Sequence, residues 1–148
     1  MPDDKLNALL AQEYLQMQKA VEDFDGRALT IKAWSVTFGA AGLTVAYAQS
    51  KPAILLLASA GALVFWLVEA IWKVNQQAYY PRIVEIEAHF RGEESTTPLQ
   101  ITRSWSTAYH GRGRYWYALH ILGWPHVALP HVLIALAGVA LYGFAPPG

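Results

Sequence analysis

The chain has no cysteine and little charge of either sign. Its 148 residues include 11 Lys and Arg and 11 Asp and Glu, while 54% are hydrophobic. Without cysteine there is no thiol nucleophile, and the redox compartment stays undetermined. A Gly-x-Ser-x-Gly elbow, paired carboxylates in a polar pocket and a glycine-rich nucleotide turn are also missing. We therefore expect no enzyme activity and no cofactor.

The apolar residues are bunched into runs, where a soluble core would spread them along every amphipathic element. Three runs are long enough, at about 1.5 Å per residue, to cross a hydrocarbon layer. Only Ser50, Lys51 and Pro52 separate the first two, which predicts a tight antiparallel hairpin. The predicted fold is an all-α membrane protein with three transmembrane helices, at about 30–49, 52–73 and 127–144.

The basic residues predict the orientation of these spans. Four Lys and Arg precede the first run, six lie between the second and the third, and Lys51 occupies the turn between the first two. The positive-inside rule then places the amino terminus and the loop of residues 73–122 in the cytoplasm. The opening MPDDKLNALL is acidic and polar, unlike a cleavable signal peptide. We predict a multi-pass membrane protein with its amino terminus in the cytoplasm and its carboxyl terminus outside.

The chain outside the spans contains two stripes of apolar residues at helical spacing. Such stripes predict amphipathic helices that pair within one chain, pair between copies or lie on the membrane surface. Gly26 favours a break or a bend in the first helix, and Pro81 a kink or restart in the second. The first stripe is Leu6, Leu10, Tyr14, Met17, Val21, Phe24, Ala28 and Ile31, and the second is Val74, Ala78, Tyr79, Ile83, Ile86 and Phe90. The predicted domains are 1–29 (cytoplasmic amphipathic helix), 30–73 (transmembrane hairpin), 74–122 (cytoplasmic helix and interfacial segment) and 123–148 (third span and outer tail).

Residues 99–122 mix arginines with aromatic rings beside the predicted third span. Rings and guanidinium groups of this kind are typical of a segment at the lipid headgroup level. The alternative is a nucleotide surface, on which the rings stack bases and the arginines pair with phosphates. The residues assigned to lipid or anion contact are Arg103, Arg112, Arg114, Trp105 and Trp116.

Glu69 is the one acid within a predicted span. Carboxylates inside a membrane are costly, which makes them candidates for proton or cation sites. Glu69 also lies near the predicted cytoplasmic end, where Lys73, four residues later, is at the favourable spacing for a salt bridge. Both interpretations stay open: an interfacial pair with Lys73, or a pore or gating role.

His126 and His131 occur in a repeated Pro-His-Val at the start of the third run. On a regular helix, two residues five positions apart point in directions that differ by about 140°, so the two rings diverge. Adding His120 does not supply an acid, because no Asp or Glu follows residue 95. The simplest interpretation is a helix start at Pro125 and Pro130, with both histidines solvated at the cytoplasmic interface. A pH-responsive role near the mouth of a pore is the alternative, and the spacing disfavours metal binding, so we predict no metal ligands.

Small residues recur at four-residue spacing along the first two spans. Such faces let helix backbones approach closely, and three spans offer few internal faces. We therefore predict a homo-oligomer in which these residues pack one copy against another. They are Gly39, Gly42, Ala46, Ala58, Gly61 and Ala62.

The layout resembles the SLATT group of small bacterial membrane proteins, over roughly residues 10–90. The residues that carry the resemblance are Arg27, Lys32 and Trp34 before the first span, and Trp66, Glu69, Tyr80 and Arg82 in and after the second. The resemblance implies a pore-like effector in bacterial conflict systems, located in the bacterial inner membrane. The third run departs from that two-span pattern.

Three functions follow as hypotheses. The first is a self-associating, channel-like or membrane-perturbing effector, possible partners being lipid, other copies, and a cytoplasmic signal ligand or protein, with no nucleic acid. The second is an accessory subunit that docks a larger transporter or enzyme. The third is a metal-dependent membrane enzyme using His120, His126 and His131.

Overall fold

The computed structural model describes residues 3–111 and 113–148, without the side chains of residues 114 and 115. All secondary structure in this part of the chain is helical, as the sequence predicts. The helices are α1 (Asp3–Ala48), α2 (Ala53–Gln77), α3 (Tyr80–Phe90), α4 (Ile101–Gly111), α5 (Arg114–Leu122), α6 (Pro125–Ala128) and α7 (His131–Phe144).

The predicted hairpin is confirmed. Helices α1 and α2 are joined by residues 49–52, where the amide of Lys51 donates to the carbonyl of Ala46 at 2.9 Å. Ser50 takes a φ of 51°, which closes the turn. Of the break or bend predicted at Gly26, the break does not occur: α1 runs through this glycine as one helix of 46 residues, since one glycine costs a long helix only about 1 kcal/mol.

The chain divides into two compact units. Unit 1 contains Met1–Gly26 and Trp72–Tyr117, and unit 2 contains Arg27–Ile71 and Ala118–Gly148. Each unit therefore takes one part of α1 and one part of α2.

Unit 1 has an aliphatic core where the two predicted stripes meet. Leu10, Met17 and Val21 of α1 pack against Ile83 and Ile86 of α3. The two stripes thus pair with each other within one chain, which is one of the predicted arrangements. The predicted restart at Pro81 is also confirmed, because α3 begins at Tyr80 with the proline in its first turn, where the missing N–H costs nothing. Phe90 is the exception, with half of its surface exposed.

Unit 2 packs α1, α2 and α7 together through small residues. A Cβ built on Gly39 would lie 2.5 Å from the Ile134 side chain of α7, and one on Gly42 would lie 2.7 Å from the Ala58 Cβ of α2. Gly138 of α7 lies against α2, where an added Cβ would lie 2.8 Å from the carbonyl oxygen of Leu55. These close approaches let three helices share one narrow interior.

The third apolar run differs from its prediction. Residues 127–144 do not form one helix: α6 ends at Ala128, Pro130 caps the next segment, and α7 begins at His131. Proline lacks the N–H that a continuous helix needs. At 14 residues, α7 is about 21 Å long, shorter than the roughly 30 Å of a hydrocarbon core. Two helices, Asp3–Ala48 and the segment Ala53–Phe90, are long and apolar enough to cross a membrane by length and composition.

Most of the exposed large hydrophobic side chains belong to unit 2. Leu57 and Val64 of α2 and Leu133 and Leu136 of α7, for example, each expose about 60% of their surface. Large contiguous apolar surfaces are unusual on monomeric soluble proteins. In unit 1 the exposed members of this class are Leu15, Tyr80, Val84, Phe90, Leu99 and Trp116.

Candidate functional site

Three helices of unit 2 contribute polar side chains to one buried group, which we call the Glu69 cluster: Lys32, Ser35, Glu69 and His131. The Oε2 atom of Glu69 lies 2.9 Å from Nε2 of His131. The Nδ1 atom of His131 lies 2.8 Å from the hydroxyl of Ser35. Lys32 forms an ion pair with the other carboxylate oxygen, Oε1 of Glu69. Both oxygens of the acid are thus engaged.

The cluster is shielded from solvent except at Lys32. Ser35 and His131 are fully buried and Glu69 is 1% exposed, whereas the side chain of Lys32 keeps 23% of its surface exposed. An isolated buried carboxylate would be very costly, so its pairing with lysine and histidine is what permits the burial. Lys32 is the point at which the cluster meets the surface.

The hydrogen bonds assign the histidine tautomer. An ionised Glu69 can only accept, so Nε2 of His131 carries the proton and donates it. The Nδ1 atom then accepts from the hydroxyl of Ser35. Protonation of Nδ1 would turn this nitrogen into a donor and force the serine hydroxyl to accept instead. A change of charge at one atom therefore reverses a hydrogen bond between α1 and α7.

The partner of Glu69 corrects one of the two sequence interpretations. Glu69 does not pair with Lys73. The ammonium of Lys73 instead lies 2.8 Å from Oδ1 of Asp25 on α1. The spacing of four residues permitted the Glu69 pair, but α1 offers each side chain a partner across the helix interface. Glu69 is consequently a buried residue of the helix interior, and the predicted salt bridge with Lys73 is wrong.

Beyond Ser35, on the side away from Lys32, the interior of unit 2 has few buried polar side chains. On the side of Ser35 away from Lys32, the next buried polar side chain is Ser59, whose hydroxyl bonds the carbonyls of Leu55 and Ala135 at 2.9 and 3.1 Å. Gly42, Ala46 and Ala58 follow in this direction. The described side chains therefore give the Glu69 cluster one polar approach, through Lys32.

The other two histidines lie outside the cluster. His126 is exposed and its ring packs beside Trp124, with ring centres 5.3 Å apart. The ring of His120 also lies beside Trp124, edge to face, with ring centres 6.0 Å apart. Among the described residues, no group of three or more His, Cys, Asp or Glu side chains is placed to hold a metal ion. The structure thus joins His131 to Glu69 and leaves His126 apart from both.

The residues predicted to pack copies together lie inside this chain. Ala46, Ala58 and Ala62 are buried, and Gly39, Gly42 and Gly61 contact neighbouring helices of unit 2. Gly42 and Gly61 let α1 and α2 approach each other closely, at Ala58 and Phe38, and Gly39 receives Ile134 of α7. Contacts between copies would have to use other surfaces.

The residues predicted for lipid or anion contact are only partly described. Arg112 and the side chain of Arg114 lie outside the described part of the chain. Trp105 donates its N–H to the carbonyl of Asn75 at 3.2 Å and stacks on the ring of Tyr109. Trp116 is 80% exposed. Arg103 lines an open cavity of unit 1.

Unit 1 contains a second buried ion pair, which the sequence reading missed. Nε and Nη2 of Arg82 bind the two carboxylate oxygens of Glu13 at 2.9 and 3.2 Å, and Nη1 lies 2.8 Å from both the Thr96 hydroxyl and Oε1 of Glu85. Arg82 is 1% exposed and Glu13 3%. Burial by itself would lower the pKa of Arg82, but hydrogen bonds and charge from Glu13 and Glu85 hold it above its usual value.

A signal for both buried groups was present in the stripes. Glu13 follows Leu10 by three residues, and Arg82 follows Tyr79 by three, so each charge falls within an apolar helical face. Ser35 likewise continues the first stripe four residues after Ile31. A charged residue within an apolar stripe indicates a buried partner, because an unpaired charge there is too costly.

Comparison with protein-family models, with curated proteins and with solved structures finds no match to this chain. The resemblance to the SLATT group therefore stays a prediction.

Proposed function

We propose that this chain is a small multi-pass protein of the bacterial inner membrane, in which the Glu69 cluster is the proton-responsive element of a channel-like or membrane-perturbing effector. The observation that carries the proposal is an ionisable cluster buried among helices whose outer surface is apolar. Ionisable residues inside membrane helices face the bundle interior and mark ion or proton sites.

The apolar surface of unit 2 supports placing this unit in the bilayer. Helices α1 and α2 would cross it, with the amino terminus in the cytoplasm because the loops on that side are basic. The third crossing would use α6 and α7 together. Irregular backbone at their junction is tolerated in a membrane where it is covered by protein, and both Val127 and His131 are buried.

The chemistry of the cluster supports protons as the signal. Glu69 and His131 can share or exchange a proton across one hydrogen bond, and histidine titrates near neutral pH. Lys32, partly exposed, connects them to one side only. A site open to one side suits sensing, in which uptake of a proton changes how α7 is held against α1 and α2.

Self-association rests mainly on the resemblance, since the small residues are used within the chain. Because these residues pack within one chain, the structure also favours the alternative of an accessory subunit that docks a larger transporter or enzyme. Unit 1 offers a docking surface for such a partner, an apolar groove of about 430 Å³ lined by Tyr14, Leu15 and Phe90 among others.

The test is the membrane potential of bacteria in which the protein is induced. We expect depolarisation with the wild type and its loss in Glu69→Gln, which keeps the side-chain shape and removes the charge. Asp25→Asn is the matched control, because it removes the acid of the neighbouring, solvent-exposed lysine pair. We expect this variant to depolarise like the wild type. An unchanged potential at confirmed membrane expression, or equal behaviour of the two variants, would refute the proposal.

A further inference from the structure

A cavity of about 470 Å³ opens on unit 1 between α3, α4 and the segment that joins them. Its volume is within the range of small-ligand sites. Pro81 and Ala108 give it two apolar faces, and the rest of its lining is polar: Glu85, Thr97, Gln100, Arg103, Ser104 and Thr107.

The buried ion pair beneath the cavity fixes the position of its walls. Glu13 accepts hydrogen bonds from the backbone amides of Leu99 and Gln100, at 2.6 and 3.3 Å. Arg82 donates to the carbonyl of Thr97 at 2.6 Å and holds Glu85 at 2.8 Å. The joining segment is thus tied to α1 and α3 before any ligand arrives, which lowers the entropy cost of binding.

Several donors on the lining are not used by the protein itself. Among the described residues, the guanidinium group of Arg103 and the hydroxyl of Ser104 have no hydrogen-bond partner, and neither have the hydroxyl of Thr97 and the side-chain amide of Gln100. Arginine binds phosphate oxygens in a bidentate manner, and hydroxyl and amide groups can reach the third oxygen. This set of donors suits an anionic group with more than two oxygens.

The cavity also contains an acid. Burial by itself would raise the pKa of Glu85, but hydrogen bonds from Thr96 and Arg82 and the charge of Arg82 hold it below its usual value. The carboxylate is therefore ionised at neutral pH, and 40% of the side chain remains exposed. A ligand with several negative charges would be repelled by it, whereas an ammonium group would be attracted.

We propose that this cavity binds a small zwitterion that carries a primary ammonium group and a phosphate group, as in ethanolamine phosphate. Arg103, Ser104 and Gln100 hold the phosphate, and Glu85 accepts from the ammonium. The same chemistry occurs in a free molecule and in the headgroup of phosphatidylethanolamine. The site lies within unit 1 and is independent of the proton response assigned to Glu69.

Titration calorimetry on the full chain in phosphatidylcholine nanodiscs tests this site, with ethanolamine phosphate as the probe. We expect saturable binding, about tenfold tighter than that of inorganic phosphate or ethanolamine alone, since each lacks one of the two charge contacts. Arg103→Gln should weaken binding about tenfold. Arg103 is exposed, so this variant should fold. Arg91→Gln, at an exposed arginine of unit 1 outside the cavity, is the control and should change affinity less than about twofold.

A second arm distinguishes the two sources of the ligand. If ethanolamine phosphate no longer binds in nanodiscs that contain phosphatidylethanolamine, the lipid headgroup is the occupant. If its binding is unchanged there, the occupant is a free molecule. Both results support the zwitterion site. The proposal would be overturned if inorganic phosphate bound equally well, or if the two arginine variants weakened binding equally. It would also be overturned if no saturable binding occurred in phosphatidylcholine nanodiscs in which mass spectrometry finds no copurified phosphatidylethanolamine.

Discussion

Units 1 and 2 both bury an ion pair between helices, yet they differ in what surrounds it. Unit 1 places aliphatic side chains such as Leu10 and Ile86 inside and mostly polar ones outside. The interior of unit 2 contains glycine, alanine and serine together with Leu55, Ile121 and Val127, while most of its leucines and valines are exposed. Water drives apolar groups inward, whereas a lipid environment leaves close packing of small residues as the main attraction. The two units thus differ in where they place large apolar side chains, inside in unit 1 and largely outside in unit 2.

The two ion pairs differ in the same way. Arg82 and Glu13 are surrounded by backbone and side-chain partners that use nearly all of their donors and acceptors, which is the requirement for a rigid buried pair. In the Glu69 cluster, Lys32 remains partly exposed, and His131 lies between Ser35 and Glu69. Unit 1 therefore encloses its ion pair fully, whereas the cluster of unit 2 reaches the surface at Lys32.

The largest effect is expected from breaking the pair of unit 1. Arg82→Met leaves Glu13 buried without its counter-charge, which should cost about 3–5 kcal/mol of unfolding free energy. Hydrogen exchange measured by mass spectrometry of individual peptides should show faster exchange in residues 4–24 and 80–104. The double variant Arg82→Met with Glu13→Leu should recover much of it, because no lone charge remains buried. No recovery in the double variant would mean that hydrogen bonds to the joining segment, and not charge, stabilise unit 1.

An intermediate effect is expected from the packing of unit 2. Gly138→Ala places a methyl group against the Ser59 hydroxyl and the backbone carbonyl of Leu55, neither of which can move freely. We expect a loss of about 1–3 kcal/mol in unfolding measured in detergent micelles. Gly143→Ala, on the same helix with nothing within 4 Å of the new Cβ, should be neutral or stabilising by up to about 1 kcal/mol. Equal effects would show that α7 does not pack closely on α2.

The smallest effect is expected from acidification of unit 1. The pKa of Glu85 is lower in the folded chain than its usual value, so its stabilising contribution is complete above the unfolded pKa and disappears as pH falls through the folded one. Because the side chain is 40% exposed, screening limits this to about 0.5 kcal/mol, lost between about pH 5 and pH 3. Denaturant titration over this range should show a flatter pH dependence in Glu85→Gln. The exposed Glu94→Gln should follow the wild type; a similar flattening there would remove the assignment to Glu85.

The features that the sequence predicted correctly depend on local spacing. The hairpin follows from two apolar runs with a proline between them, and the pairing of Leu10 and Met17 with Ile83 and Ile86 follows from stripes at helical period. The prediction of one helix over residues 127–144 failed because hydropathy was given more weight than Pro130. Glu69 and His131 were each recognised as candidates, but as separate ones.

The amino-acid sequence by itself determined the all-helical fold, the apolar helix faces and the two long segments apolar enough for a membrane, because each of these is a property of neighbouring residues. The tertiary structure alone decided that Glu69 pairs with Lys32 and His131, 37 and 62 residues away, and that His131 reaches Ser35 across 96. It also decided that the glycines of α1 pack against α2 and α7 of the same chain. Helical period says which side chains share a face, and only the packing of whole helices says which faces meet.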